Sequence, residues 1–190
     1  MKDIFILGGP NGAGKTTAAR VLLPERLRTH EFLNADEIAR HISPVDSEAT
    51  ALRAGRVLLE RMRELIRNEQ SFVFETTCSG KSYLRMLKAC QIDGWRVSLL
   101  FLWLPSVDEC IRRVRQRVRS GGHSIPEDVI RRRYTAGICT MRDFYLPLAD
   151  EARIYDNLEN RLEPIATKLP SGPFIVHDAG KWRTIEEEAL

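Results

Sequence analysis

The sequence contains little cysteine and no long hydrophobic run. Its four cysteines lie far apart and form no C-x-x-C or Cys/His ligand pattern, which argues against a disulfide framework and a structural zinc site. They are Cys78, Cys90, Cys110 and Cys139. We interpret them as reduced packing residues, with Cys78 the one candidate for a catalytic thiol because polar residues surround it in the sequence.

Membrane and export signals are also absent. The longest uncharged apolar run covers residues 97–104, far fewer than the roughly 20 residues that cross a bilayer. The N-terminal apolar run ends at Leu7 and lacks the cleavage site of a signal peptide. With 190 residues, 43% of them hydrophobic, and no low-complexity bias, the chain is predicted to be a single cytoplasmic domain, residues 1–190, without a membrane partner.

Positive charge is concentrated in one segment. The chain has a formal net charge of +3, but residues 106–133 contain eight arginines, no lysine and only four acids. These arginines are Arg112, Arg113, Arg115, Arg117, Arg119, Arg131, Arg132 and Arg133. Because guanidinium groups bind phosphate oxygens bidentately, the segment indicates an anionic partner.

Short apolar segments typical of buried strands alternate along the chain with segments of helical periodicity. This order predicts an α/β fold with a mostly parallel central sheet and helices on both faces. Strands are predicted at residues 2–8, 31–34, 71–75, 95–104 and 152–155, with 2–8 central and a hairpin at 162–169 and 174–177. Helices are predicted at residues 15–27 with a break at Pro24, 47–68, 81–93, 108–119 and 127 to about 145. Ser124-Ile-Pro-Glu127 has the pattern of a capping box for the last of these helices.

The first strand is followed by a phosphate-binding motif. Gly9-Pro-Asn-Gly-Ala-Gly14-Lys15-Thr16 matches G-x-x-x-x-G-K-[ST] between a buried strand and a helix, where backbone amides cradle nucleotide phosphates. Lys15 is expected to reach the β and γ phosphates, and the Thr16 hydroxyl to bind Mg²⁺. The predicted nucleotide-binding residues are Gly9, Pro10, Asn11, Gly12, Ala13, Gly14, Lys15, Thr16 and Thr17.

Two classes of P-loop protein are disfavoured. The N-K-x-D base-recognition motif of GTPases is absent. The acidic pair that follows an apolar strand in motor ATPases is absent too, since residues 72–75 and 153–156 each end in a single acid.

Polar residues follow the second and third predicted strands, where ligands of open α/β sheets bind. Asp36 is the candidate base that accepts a hydroxyl proton during phosphoryl transfer, and its alternative role is an N-cap for residues 37–41. Glu75 is expected to hold acceptor hydroxyls or Mg²⁺-bound water, or else only the loop backbone. The predicted substrate-binding residues are Asn34, Glu75, Thr76 and Thr77.

The arginine segment has three interpretations: a solvated helix face, a nucleic-acid patch, or a small helical lid over the transferred phosphate. Arg119 and Arg132 flank Ser120-Gly-Gly-His123, and a hinge between positive charges favours the lid, residues about 106–133. Residues 131–133 span about 200° of a helix, so at most two of these arginines can face one site. Only Tyr134 supplies an aromatic ring nearby, which argues against a nucleic acid as the partner. His123 is interpreted as a loop residue.

Four motifs together resemble the zeta toxin family of P-loop kinases. They are G-P-N-G-A-G-K-T-T, F-L-N-A-D-E-I-A, F-E-T-T and R-S-G-G-H-S-I-P-E-D-V-I-R-R-R. The resemblance implies ATP-dependent phosphorylation of a small-molecule hydroxyl, such as that of UDP-N-acetylglucosamine, with Mg²⁺. It also implies that Lys15 and Thr16 bind phosphate and Mg²⁺, that Asp36 is the base, that Glu75 positions the sugar nucleotide, and that Arg119 and Arg132 clamp phosphate. A protein antitoxin is a further implied partner, although the chain contains no recognisable antitoxin segment.

Other functions remain open at this stage. A polynucleotide 5′-hydroxyl kinase would use a similar cradle and acid, and would bind oligonucleotides with a steep salt dependence. A nucleotide-switched interaction protein would have no acceptor and would bind a partner differently in its ATP and ADP states. The end of the fifth strand, residues 155–157, is expected near the adenine.

Overall fold

The fold is built around a seven-stranded sheet that is parallel except at one edge. A computed structural model describes residues 2–43, 48–122, 124–158 and 161–188. The strands are β1 (Asp3–Gly8), β2 (Glu31–Asn34), β3 (Phe72–Thr76), β4 (Arg96–Trp103), β5 (Glu151–Asp156), β6 (Glu163–Lys168) and β7 (Phe174–Val176). Their order is β2-β3-β1-β4-β5-β6-β7, and only β6 and β7 run antiparallel to their neighbours. The predicted α/β class and the central position of the first strand are confirmed.

Helices connect the strands and cover the sheet. They are α1 (Lys15–Leu22), α2 (Pro24–Thr29), α3 (Ala35–Ile42), α4 (Glu48–Arg67), α5 (Leu84–Ile92), α6 (Val107–Arg119), α7 (Glu127–Thr140), α8 (Leu146–Leu148) and α9 (Ala179–Glu187). A π-helical turn, Met141–Tyr145, joins α7 to α8, so the chain stays helical to the end predicted for this segment. Within the described ranges, no helix has both the length and the apolar character that crossing a bilayer requires.

Alternating side chains of β1 divide between two cores. Ile4 and Ile6 belong to the larger core, which α4, α5 and α7 cover with side chains such as Leu58 and Ile138. Phe5 and Leu7 face the smaller core, where Ala19 of α1 packs. Because both faces of β1 are buried, its short run of apolar residues carries no polar alternation, as expected of a central parallel strand.

The helix ends differ in detail from the predictions. Pro24 begins α2 at the predicted break, since a proline tolerates the first turn of a helix. The capping-box prediction is wrong: α7 begins at Glu127, and Pro126 precedes it without a side-chain cap. The residue before a proline is driven to extended backbone, which keeps the helix from reaching back to Ser124.

The joint between α6 and α7 ends α6 as predicted. Gly121, at φ 82°, donates its N–H to the Val118 carbonyl, and Gly122 donates to the Arg117 carbonyl. This pair of hydrogen bonds is a Schellman motif. His123 and Ser47, for which the sequence predicted a loop and a helix start, lie outside the described residues.

Candidate phosphate-binding site

The phosphate loop follows β1 at the carboxyl edge of the sheet. At Gly9, with φ 143°, a Cβ would lie 2.4 Å from the Leu102 carbonyl oxygen of β4, so only glycine lets the loop pass this strand. At Gly14, with φ 76°, a Cβ would lie 2.8 Å from the Asn157 Nδ2 atom. The two glycines are therefore fixed by close approach as well as by positive φ.

The loop and the start of α1 retain unpaired polar groups. No side chain of the described residues caps the first turn of α1, which leaves helix N-terminal amides able to bind an anion. Within the described residues, the Asn11 Oδ1 atom is buried without a hydrogen-bond partner. The free N–H groups can donate to a polyanionic ligand held by the loop. The Asn11 oxygen is an acceptor, so it would pair with a donor and not with the phosphate itself.

Lys15 and Thr16 share one carboxylate. The Lys15 Nζ atom donates to the carbonyls of Gly9 and Pro10 at 2.9 and 3.0 Å and lies 3.5 Å from Glu75 Oε1. The Thr16 hydroxyl donates to Glu75 Oε2 at 2.9 Å. A lysine, a hydroxyl and a carboxylate thus converge, and the hydroxyl and carboxylate oxygens are of the kind that Mg²⁺ prefers.

Asn34 connects the second strand to the same carboxylate. It pairs with Glu75 across the sheet, and its Nδ2 atom donates to Glu75 Oε2 at 3.1 Å. Its Oδ1 atom accepts from the backbone N–H groups of Asp36 and Glu37 at 2.8 and 3.3 Å. Asn34, rather than Asp36, is therefore the N-cap of α3, and the alternative capping role for Asp36 is wrong. Within the described chain the half-buried Asp36 carboxylate has no side-chain partner.

The predicted substrate residue Thr76 ends β3, and Thr77 begins the loop that follows it. The Thr76 hydroxyl accepts from the Cys78 N–H, and the Thr77 and Ser79 hydroxyls are 2.8 Å apart. The backbone of Thr77 is held against α7, because a Cβ on Gly137 would lie 2.5 Å from the Thr77 oxygen. The loop is thus fixed by local hydrogen bonds and one tight helix contact.

Cys78 does not have the environment of a nucleophile. Its thiol is fully buried, and burial raises its pKa to about 12. Reactive cysteines instead have lowered pKa values and some exposure.

Two residues that sequence reasoning did not place at the loop brace it from the side. The Asn157 Nδ2 atom donates to the Ala13 carbonyl at 2.7 Å, and the Asn157 carbonyl accepts from Arg113 Nη2 at 2.8 Å. Arg113 also donates to Glu109 through Nε at 2.7 Å. The sequence predicts residues 155–157 near the adenine, without a role for Asn157 at the phosphate loop. Nothing in the sequence distinguishes Arg113 from the seven other arginines of residues 106–133.

The predicted arginine pair is not brought together at the loop. Arg119 is turned about 120° around α6 from Arg113 and lines a groove between α6 and α7. Arg132 is exposed and turned about 140° from Gly137, whereas Arg133 is half-buried and turned only about 40°. Arg131 pairs with Asp108. Of the three consecutive arginines, Arg133 therefore shares the face of α7 that meets the Thr77 loop.

Comparison with known proteins places this site in a family. A family model described as AAA domain matches residues 4–137 of the chain. The chain belongs to the AAA domain family. This AAA domain protein is also 32% identical to an uncharacterized protein of Haemophilus influenzae over 133 residues, which is 70% of this chain and 92% of the relative.

Solved structures share the fold of this AAA domain protein at low sequence identity. A chain of the AvrRxo1-ORF1:AvrRxo1-ORF2 complex with sulphate ions superposes with a TM-score of 0.81 at 17% identity, and the same complex with ATP gives 0.78 at 18%. All of this chain is covered in both, but it spans only 65% of the length of the AvrRxo1 chain. The PezAT toxin-antitoxin structure from Streptococcus pneumoniae gives 0.61 at 13% identity and covers 98% of this chain and 84% of that one. These likenesses show a shared α/β fold.

Proposed function

We propose that this protein is an ATP- and Mg²⁺-dependent kinase that transfers the γ-phosphoryl group to a hydroxyl of a small molecule. The observation that carries the proposal is the convergence of Lys15 and Thr16 on the Glu75 carboxylate. Two residues beyond Asn34 lies the Asp36 carboxylate, which has no side-chain partner among the described residues. A nucleotide-binding protein without transfer activity would not need a second acid there. Residues 1–190 would form one cytoplasmic kinase domain, with residues about 106–133 as its lid.

The ATP phosphates would be held by the loop from Gly9 to Thr17. The uncapped start of α1 provides backbone N–H groups that can donate to a phosphate chain. The Lys15 ammonium, which donates to two loop carbonyls, would turn to the β and γ phosphates. The AvrRxo1 complex with ATP supports nucleotide binding by this architecture.

Magnesium would be held by the Thr16 hydroxyl, with Glu75 next to it. The two groups are 2.9 Å apart, so one ion, directly or through its bound water, can contact both. When bound, Mg²⁺ neutralises charge on the phosphate oxygens. Asn34 orients Glu75 through a hydrogen bond. The zeta toxin resemblance implies that Glu75 also positions the acceptor, so its carboxylate would contact both the acceptor and the Mg²⁺ ion or its bound water.

Asp36 would accept the proton of the acceptor hydroxyl, and Thr76 and Thr77 would line the acceptor side. The Asp36 carboxylate has no competing side-chain partner within the described chain, and a general base must be free to contact its substrate. Arginines of the lid would neutralise charge on the transferred group. Arg119 and Arg132 would have to move inward for this role, whereas Arg113 and Arg133 already lie on the faces that meet the site.

The acceptor that we favour is a UDP-N-acetyl sugar. Its support is the four-motif resemblance to zeta toxins, together with the structural likeness to PezAT. The same likeness supports a protein partner of the antitoxin kind.

The proposal is tested with Asp36→Asn and the matched control Glu37→Gln, which removes the adjacent carboxylate of α3. Purified protein is incubated with ATP, Mg²⁺, UDP-N-acetylglucosamine, related sugar nucleotides and a 5′-hydroxyl oligonucleotide, and products are identified by mass. We expect a phosphorylated sugar nucleotide from the parent and from Glu37→Gln. Asp36→Asn should bind ATP equally well but turn over about 10² to 10⁴ times more slowly.

Unchanged turnover in Asp36→Asn would refute the assignment of the base. Phosphorylation of the oligonucleotide alone would replace the small-molecule acceptor by a nucleic acid.

A further inference from the structure

A groove lined by several arginines lies between α6 and α7. It is half-open, with a volume of about 580 Å³. Four arginines line it: Arg112, Arg115, Arg119 and Arg131. Two acids, Asp108 and Glu127, also line it, and Ile111 is buried at its floor.

The groove arginines lie on a different face of α6 from the one that braces the phosphate loop. Arg112, Arg115 and Arg119 follow one another at helical spacing along that face, whereas Arg113 points to Asn157 beside the loop. The groove can therefore be occupied without contact with the nucleotide site.

Arg112 is held by two hydrogen bonds to Glu109, but the two ion pairs that cross the groove are exposed and exchangeable. Arg115 pairs with Glu127, and Arg131 with Asp108, across the gap between the two helices. The arginine side chains of these pairs are 64% and 52% exposed. Exposed pairs contribute little to stability, so carboxylates from outside can replace them at low cost. Arg119 has no ion pair within the described part of the chain.

We propose that this groove binds an acidic helical segment of a protein partner. Arg112, Arg115 and Arg119 are separated by about 4.5 and 6 Å along the α6 axis. Carboxylates one helical turn apart on a partner helix repeat at the same interval, and Arg–carboxylate pairs are bidentate. The groove between two helices is also the usual seat of a helix in peptide recognition.

The lining disfavours a nucleic acid in this groove. Asp108 and Glu127 would repel a continuous run of phosphates. None of the eight described residues that line the groove is aromatic, so bases would find no stacking platform. A protein segment can instead place its carboxylates between these acids.

The test uses a fluorescent alanine-based helical peptide with glutamates spaced i, i+3 and i+7, and an isomer with the same composition but glutamates spread around the helix. Binding to the full chain is followed by anisotropy at low ionic strength, because salt screens exposed charges. Arg112→Gln with Arg115→Gln should weaken binding of the spaced peptide about tenfold or more, since two charged contacts are lost. The control, Arg53→Gln with Arg56→Gln, removes the same charge at the same spacing from exposed positions of α4 and should bind as the parent does.

Arg119→Gln provides a second variant, which breaks no ion pair among the described residues and should also weaken binding. Equal losses in the groove and α4 variants, or equal binding of the two peptides, would refute the groove as a specific site. Tighter binding of a short single-stranded oligonucleotide through the same arginines would replace the protein partner by a nucleic acid. None of these readouts depends on kinase activity, so the inference can fail while the proposed function stands.

Discussion

Replacing Gly137 by alanine tests how tightly α7 packs on the candidate acceptor loop. The added Cβ would lie 2.5 Å from the Thr77 carbonyl oxygen, whereas carbon–oxygen contacts normally start near about 3.3 Å, so about 0.8 Å of movement is needed. Ile138 and Met141 are buried next to it, which leaves α7 little room to retreat. Such overpacking costs about 1–3 kcal/mol, and the helix preference of alanine returns about 1 kcal/mol.

Gly55→Ala is the matched control. Gly55 lies within α4, and a Cβ there meets nothing within 4 Å, so only the gain of about 1 kcal/mol applies. We therefore expect the free energies of unfolding of the two variants to differ by about 1–3 kcal/mol, with Gly137→Ala the less stable. Urea denaturation with an unchanged m-value measures this difference. If Gly137→Ala were stabilised as much as Gly55→Ala, the close approach of α7 to the loop would be refuted.

Two further predictions concern titrating groups. Hydrogen bonds from Arg112 and Arg113 lower the pKa of Glu109 from 4.5 to about 2; the carboxylate therefore stabilises the fold above pH about 4.5, and this contribution is lost as the pH falls through about 2. Thermal unfolding should show wild type more stable than Glu109→Gln at pH about 6, with a gap that closes toward pH about 2, and a gap independent of pH would contradict the pairing. The Cys78 thiol, whose pKa burial raises to about 12, should resist iodoacetamide at pH about 8 in the native protein and react in urea. Native labelling at the unfolded rate, read by peptide mass mapping, would reject its buried position.

Local patterns carried most of the prediction from sequence. The phosphate loop was predictable because its glycines, Lys15 and Thr16 are consecutive, and Glu75 and Asn34 because parallel strands end at the same edge of the sheet. The N-cap of α3 was not predictable from sequence, because Asn34 and Asp36 are both good capping residues and only the backbone path decides between them. The role of Arg113 depends on how α6 is rotated against the loop, which tertiary packing sets. Arg119 illustrates the same difficulty, since its position beside the glycine joint did not reveal that it lines the outer groove.

The bracing of the phosphate loop has a consequence for the order in which the protein matures during synthesis. The loop is made before its supports, because β1 needs β3 and β4 beside it, and the hydrogen bond from Asn157 to Ala13 joins residues 144 positions apart. At about 5–20 residues per second, the ribosome reaches Asn157 about 7–30 s after the loop. A nascent chain thus carries the complete nucleotide-binding motif long before it can hold it in shape, and the finished site forms only after synthesis has reached Asn157.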